Sequence, residues 1–160
     1  ELLDFAAARG VVLAIENHYK DNYWQHPEFA QKSDIFLEIV NRIDSPWFGV
    51  QFDPSNTILA GEDPIALLEC VKRRVVTMHA SDRFLLPGHT VEELRRVEDS
   101  VGYASILSHG VVGKGLNDYP RILAILREVE YEGWISIEDG LNGIGEIRAS
   151  AEFLRGMMRD

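Results

Sequence analysis

The sequence predicts an α/β fold made of four parallel βα units. Four short apolar runs, Val11–Glu16, Phe48–Asp53, Val75–His79 and Trp134–Glu138, have strand length. Stretches with helical hydrophobic spacing separate them, and strands alternating with helices imply a parallel sheet with crossover connections. Each run also stops at a residue able to bind a cation: Glu16, Asp53, His79 and Glu138.

Aligned on that last residue, the runs share a second pattern. The preceding residue is Ile15, Phe52, Met78 or Ile137, always large and apolar. The residue before that is Ala14, Gln51, Thr77 or Ser136, always small or polar. Side chains alternate faces along a strand. Each candidate ligand therefore shares a face with a small or polar residue, opposite a face that helices would cover. Such strands suit a sheet with helices on one side and a narrow, partly polar barrel interior on the other.

Taken in order, the chain opens on a helix over Glu1–Arg9, stopped by Gly10. The first strand delivers Glu16, and an aromatic, polar loop, Asn17–His26, follows; its Tyr23 and Trp24 are candidate pocket walls. Pro27 suits the first turn of a helix to Arg42, burying Phe29, Ile35, Phe36, Ile39 and Val40. A turn at Asp44–Pro46 leads to the second strand and Asp53, and Pro54–Glu62 reads as a loop. Asp63-Pro64 signals a helix to Lys72, whose Cys70 reads as a buried, inert thiol. The third strand delivers His79. The longest connection, Ala80–Asn117, holds Asp82, Arg83, a capping box at Thr90 and Glu93, His109 and the glycine-rich Gly110–Gly115. Connections of that length inside a domain are usually functional. Pro120 begins a helix to Glu130, the fourth strand delivers Glu138, Asp139–Gly145 is a loop, and a closing helix runs to Met158.

Composition narrows the function. At 160 residues the chain suits one domain, residues 1–160. A net charge of −10 argues against a nucleic-acid surface, which needs clustered Lys and Arg. No apolar run reaches the roughly 20 residues of a membrane span. With one cysteine, no disulfide forms within the chain. We expect a cytoplasmic protein whose natural N-terminus lies outside this sequence.

In parallel α/β folds the working residues sit at the C-terminal ends of strands, where all four candidates fall. Alone, each reads better as a helix cap or an arginine partner than as a metal ligand. Together, in one strand phase, they read as a shared metal site. Three carboxylates and one imidazole suit Mn²⁺ or Mg²⁺, and also Co²⁺, Fe²⁺ or Zn²⁺. His18, two residues past Glu16, can share its face or simply pack. Asn56 and Arg83 are candidate hydrogen-bond partners for a sugar hydroxyl or carbonyl, or solvated loop residues. Lys114, between two glycines, can meet an anion, although the GxxxxGK[ST] pattern of a P-loop is missing.

At AIENH (Ala14–His18), GVQFDPSN (Gly49–Asn56), VVTMHASDR (Val75–Arg83), GKGLNDY (Gly113–Tyr119) and GWISIEDG (Gly133–Gly140) the sequence resembles the xylose-isomerase-like TIM-barrel superfamily. The likeness is to its sugar phosphate isomerase/epimerase branch. It implies the C-terminal half of a (β/α)₈ barrel, strands five to eight, because a closed barrel needs at least about 200 residues. It implies one divalent cation held by Glu16, Asp53, His79 and Glu138, with Glu16 and Glu138 as catalytic acid and base. His18, Asn56, Arg83, His109 and Lys114 become substrate contacts, and Asp82 a partner for the second nitrogen of His79. Ketose epimerases of the family often carry a histidine where this chain has Asn56.

The implied activity is isomerisation or epimerisation of a sugar or sugar phosphate by proton transfer beside a carbonyl. A keto-sugar or inosose dehydratase shares the first step. An AP-endonuclease-like hydrolase and a non-catalytic half-barrel are also compatible with the family. The open half implies that the chain works with the missing N-terminal half or with a second copy.

Overall fold

The computed structural model describes residues 1–20, 26–97, 105–138 and 142–159. In chain order the first elements are α1 (Leu2–Ala7), β1 (Leu13–Glu16), α2 (Ser33–Arg42), β2 (Phe48–Phe52), α3 (Pro54–Leu59) and α4 (Pro64–Val71). Then come β3 (Val75–Ala80), β4 (Arg83–Leu85), α5 (Val91–Val97), β5 (Leu107–His109), α6 (Tyr119–Glu128), β6 (Trp134–Ile137) and α7 (Ile144–Met157). Tyr23, Trp24 and much of the Asp139–Gly145 loop lie outside the described residues.

One four-stranded sheet organises the chain, in the order β1-β2-β3-β6 with every pairing parallel. It is an α/β partial barrel, and its strands are those expected from the sequence. The main core fills the space between one face of the sheet and the helices. Val50, Phe52, Met78 and Ala80 from the strands meet Phe36 and Val40 of α2, Leu67 and Leu68 of α4, Ile122 and Ile125 of α6 and Leu154 of α7. Among the described residues the opposite face carries no helix, and there Ala14 and Ser136 are exposed and Trp134 is 83% exposed. The pairing of β2 with β3 slips between Val50 and Gln51, so that Val76 is the extra residue. Gly49 makes the room, because a Cβ there would stand 2.4 Å from Val76 Cγ1.

Four sequence expectations are corrected. The helix placed from Pro27 begins at Ser33, where Glu62 accepts hydrogen bonds from the Ser33 backbone N–H (2.9 Å) and hydroxyl (2.5 Å). A carboxylate brought from elsewhere in the chain caps this N-terminus. Phe29 therefore lies outside the helix, 77% exposed, and Ile35 is exposed as well. The Pro54–Glu62 loop contains α3, started by Pro54 and capped by Asp53, whose carboxylate accepts from Ser55 N and Asn56 N. The connection after β3 contains an antiparallel ribbon of β4 and β5. Cys70 is exposed; it lies about 200° around α4 from buried Leu68. The capping box does form, Glu93 accepting from Thr90 N and Thr90 Oγ accepting from Glu93 N.

Candidate metal centre

Glu16 ends β1, Asp53 follows β2, His79 lies in β3 and Glu138 follows β6. All four project at the C-terminal edge of the sheet, and one ligand atom from each falls within 4.8 Å of the others. His79 Nδ1 is the common point. It lies 3.3 Å from Glu16 Oε1, 3.2 Å from Glu138 Oε2 and 3.9 Å from Asp53 Oδ2. The outer strands supply the two glutamates and the inner strands supply Asp53 and His79.

The electrostatics follow from that crowding. Hydrogen bonds to Glu138 and then Glu16 push His79 up to about 10, against the effect of burial. The same bond to His79 holds Glu138 below the usual carboxylate range. Burial pushes Asp53 up to about 6, Ser81 pulls it back, and the neighbouring Glu138 charge raises it further. Three carboxylates brought to one point need a positive charge among them. Hard oxygens with a single imidazole nitrogen make a donor set that fits a divalent cation.

Residues around the cluster fix its members. Gln51, on the inner face of β2, donates to Glu16 Oε2 at 2.9 Å and lies 3.4 Å from His79 Nδ1. Asn17 pairs with the Asp53 backbone in both directions, donating to its carbonyl (2.7 Å) and accepting from its N–H (2.9 Å). Ser81 donates to Asp53 Oδ1 at 2.8 Å. All three lie inside or beside the motifs already quoted, and their signal was adjacency to a ligand. Sequence reading assigned them no role, because amides and hydroxyls next to ligands look like ordinary strand-end residues.

The candidate substrate contacts fall into two groups. Asn56 is buried beside the cluster and donates to Glu16 Oε1 at 3.4 Å. Arg83 is buried too, and its charge also draws Asp53 and Glu138 down. His109 sits opposite Arg83 in the β4–β5 ribbon. His18 turns to Glu28, with Nδ1 3.3 Å from Oε1. Lys114 is exposed on the glycine-rich loop. That loop holds the chain's own carboxylate, since Gly113 N and Gly115 N both donate to Asp82 Oδ2 at 2.9 Å. Asp82 Oδ1 accepts from Arg83 N and Asn117 N. With four backbone donors upon it, Asp82 organises the loop, and its expected partnership with His79 is corrected.

Comparison with known proteins agrees with this architecture. The sequence model of the xylose isomerase-like TIM barrel family matches residues 1–157. The chain belongs to that family. An inosose dehydratase from Clostridium beijerinckii is 27% identical over 112 residues, covering 68% of this chain and 36% of its own. A xylose isomerase domain protein from Planctomyces limnophilus superposes with a TM-score of 0.70 at 27% identity, over 98% of this chain and 48% of that one. A xylose isomerase-like TIM barrel protein from Mycobacterium smegmatis, solved in complex with magnesium, superposes with a TM-score of 0.69 at 18% identity, over 98% and 46%. The chain thus spans about a third of its curated relative and about half of the solved structures. No helix among the described residues is long and apolar enough to cross a membrane.

Proposed function

We propose that this chain carries the cation site and the acid/base pair of a divalent-metal-dependent enzyme that moves a proton beside the carbonyl of a sugar, sugar phosphate or inosose. The observation that carries the reading is the arrival of Glu16 and Glu138 at one point from the two outer strands of the sheet. Glu16, Asp53, His79 and Glu138 would hold the cation, Mn²⁺ or Mg²⁺ being the best match. When bound, a cation supplies Lewis acidity toward a substrate carbonyl and its neighbouring hydroxyl.

The chain's own groups do the proton work. One glutamate takes the proton from the carbon next to the carbonyl, and the other returns a proton to the opposite face or the neighbouring carbon. In the metal-free chain His79 holds Glu138 ionised; with a cation bound, the cation's charge would take over that role. Asn56 and Gln51 hydrogen-bond the two oxygens of Glu16, fixing the direction of its carboxylate. Asn56, hydrogen-bonded to the cluster, would meet a substrate oxygen, and the charge of Arg83, which acts on Asp53 and Glu138, would favour a negatively charged substrate group.

A second reading, loss of water from a keto-sugar or inosose, is favoured by the activity named for the Clostridium relative. Removal of the same proton begins both reactions. The test is incubation of the catalytically competent protein with Mn²⁺ and a panel of ketoses, ketose phosphates and inososes in D₂O. Deuterium is expected at the carbon beside the carbonyl, with loss in Glu16→Gln and in Glu138→Gln. Normal exchange in both variants, with metal bound, would rule out these bases. Isomerisation leaves the product hydrated, whereas dehydration releases water and creates an absorbing enone.

A further inference from the structure

The two oxygens of Asp53 have different surroundings. Oδ1 accepts three hydrogen bonds, from Ser55 N (2.8 Å), Asn56 N (3.3 Å) and Ser81 Oγ (2.8 Å). That fills its acceptor positions. Oδ2 alone turns toward His79. The two backbone donors come with the start of α3, but the serine hydroxyl is a separate lock with its own support.

That support is buried throughout. The Ser81 carbonyl accepts from the Tyr119 hydroxyl at 2.6 Å and from Asn117 Nδ2 at 3.1 Å. Asn117 Nδ2 also donates to Ser55 Oγ at 3.1 Å, and Asn117 N is anchored on Asp82. Ser55, Ser81, Asp82 and Tyr119 are all 0% exposed. The arrangement runs from the glycine-rich loop through Asn117 and Ser81 to one oxygen of one cluster member. Such a network resists rotation, because turning the Asp53 carboxylate would strand buried donors.

We propose that Ser81 is a positioning residue that restricts Asp53 to one-oxygen ligation and thereby sets which cation the site accepts. The inference rests on the metal reading given above. Ca²⁺ takes six to eight oxygens, often from carboxylates that bind through both atoms. A site with one imidazole nitrogen and an aspartate limited to Oδ2 rejects it. A smaller cation of lower coordination number, which accepts nitrogen, loses nothing by the restriction. Without the Ser81 hydroxyl only the two α3 backbone donors, one of them long at 3.3 Å, hold Oδ1, and the carboxylate can rotate further to bring that oxygen nearer the cluster.

The test is competition calorimetry with Mn²⁺ and Ca²⁺ on the whole chain, with no substrate present. The wild type is expected to prefer Mn²⁺ strongly. Ser81→Ala is expected to narrow the Mn²⁺/Ca²⁺ affinity ratio by about tenfold, the lower end of what removal of an outer partner does to a metal site. Ser81→Thr, which keeps the hydroxyl, should restore the ratio. A merely structural role would weaken both cations equally and leave the ratio alone, which would overturn the proposal, as would an unchanged ratio at unchanged affinity. Should Ser81→Ala fail to fold, Tyr119→Phe decides: it removes one bond to the Ser81 carbonyl and should move the ratio the same way, and no movement there counts against the proposal. A wild type that binds neither cation would sink the metal reading itself, a different outcome from a wild type that binds Mn²⁺ and ignores Ser81.

Discussion

At the scale of single residues, the behaviour of His79 gives the clearest expectation. Its pKa is raised from 6.5 to about 10 because Glu138 and Glu16 favour the imidazolium. In the metal-free chain this pairing stabilises the fold fully below about pH 6.5 and is lost as pH rises through about 10. Asp53, raised by burial to about 6, is already ionised in that window, so the change belongs to His79. His79 is 23% and its partner Glu138 59% exposed, and solvent reduces the effect to about 1 kcal/mol. The melting temperature of metal-free protein should therefore fall between pH 7 and 10, and the fall should be smaller in His79→Gln. A cation has to displace the imidazole proton, so Mn²⁺ uptake at pH 8 should release close to one proton per site. Titration heats compared in two buffers of different ionisation enthalpy count that proton, and heats independent of the buffer would mean that His79 is already neutral.

At the scale of elements, the strands were legible because each ends in a ligand-type residue and each holds the same alternation. What escaped the sequence has a physical cause in each case. Asp53 was read for one purpose and serves two: Oδ1 caps α3 while Oδ2 faces the cluster, so the cap-and-proline signal of Asp53-Pro54 was overlooked. The start of α2 is set by Glu62, a partner 29 residues away that no local pattern reveals. In the glycine-rich loop the sequence points to Lys114 as the group that meets an anion, but it is the loop's backbone N–H groups that hold one, the Asp82 carboxylate of the same chain. That filling makes Gly115 hard to replace. A Cβ there would stand 2.3 Å from both Arg83 O and Asp82 Oδ1. Gly115→Ala should cost about 1–3 kcal/mol in urea unfolding, as overpacking does. Gly145 in α7 has open space around it, so Gly145→Ala should be neutral or slightly stabilising. Equal effects of the two substitutions would mean that the loop yields without cost.

At the scale of the whole molecule, the sheet is finished on one side only. Its helix-covered face holds the core, whereas the other presents Ala14, Val76, Ser136 and the almost fully exposed Trp134. Among the described residues, β1 and β6 each have a single partner in the sheet, which leaves a row of backbone donors and acceptors on each outer edge. Beside β6 a cavity of about 440 Å³ is lined by Trp134, Ile135, Ile137, Leu154 and Met158. Burying one tryptophan removes about 150–250 Å² from water, worth about 4–6 kcal/mol. A complementary set of four strands would cover this face and pair both edges, and inward side chains would then stack in layers as in a closed barrel. A second copy can do so about a two-fold axis along the barrel, β1 of one protomer beside β6 of the other. The chain alone is therefore expected to self-associate at micromolar concentration in sedimentation velocity. Trp134→Glu should shift it toward smaller species, and acrylamide should quench tryptophan fluorescence more strongly in dilute than in concentrated wild type. A compact monomer that unfolds cooperatively, with no dependence on concentration, would show that Val76 and Trp134 tolerate water and that the inner face needs no cover.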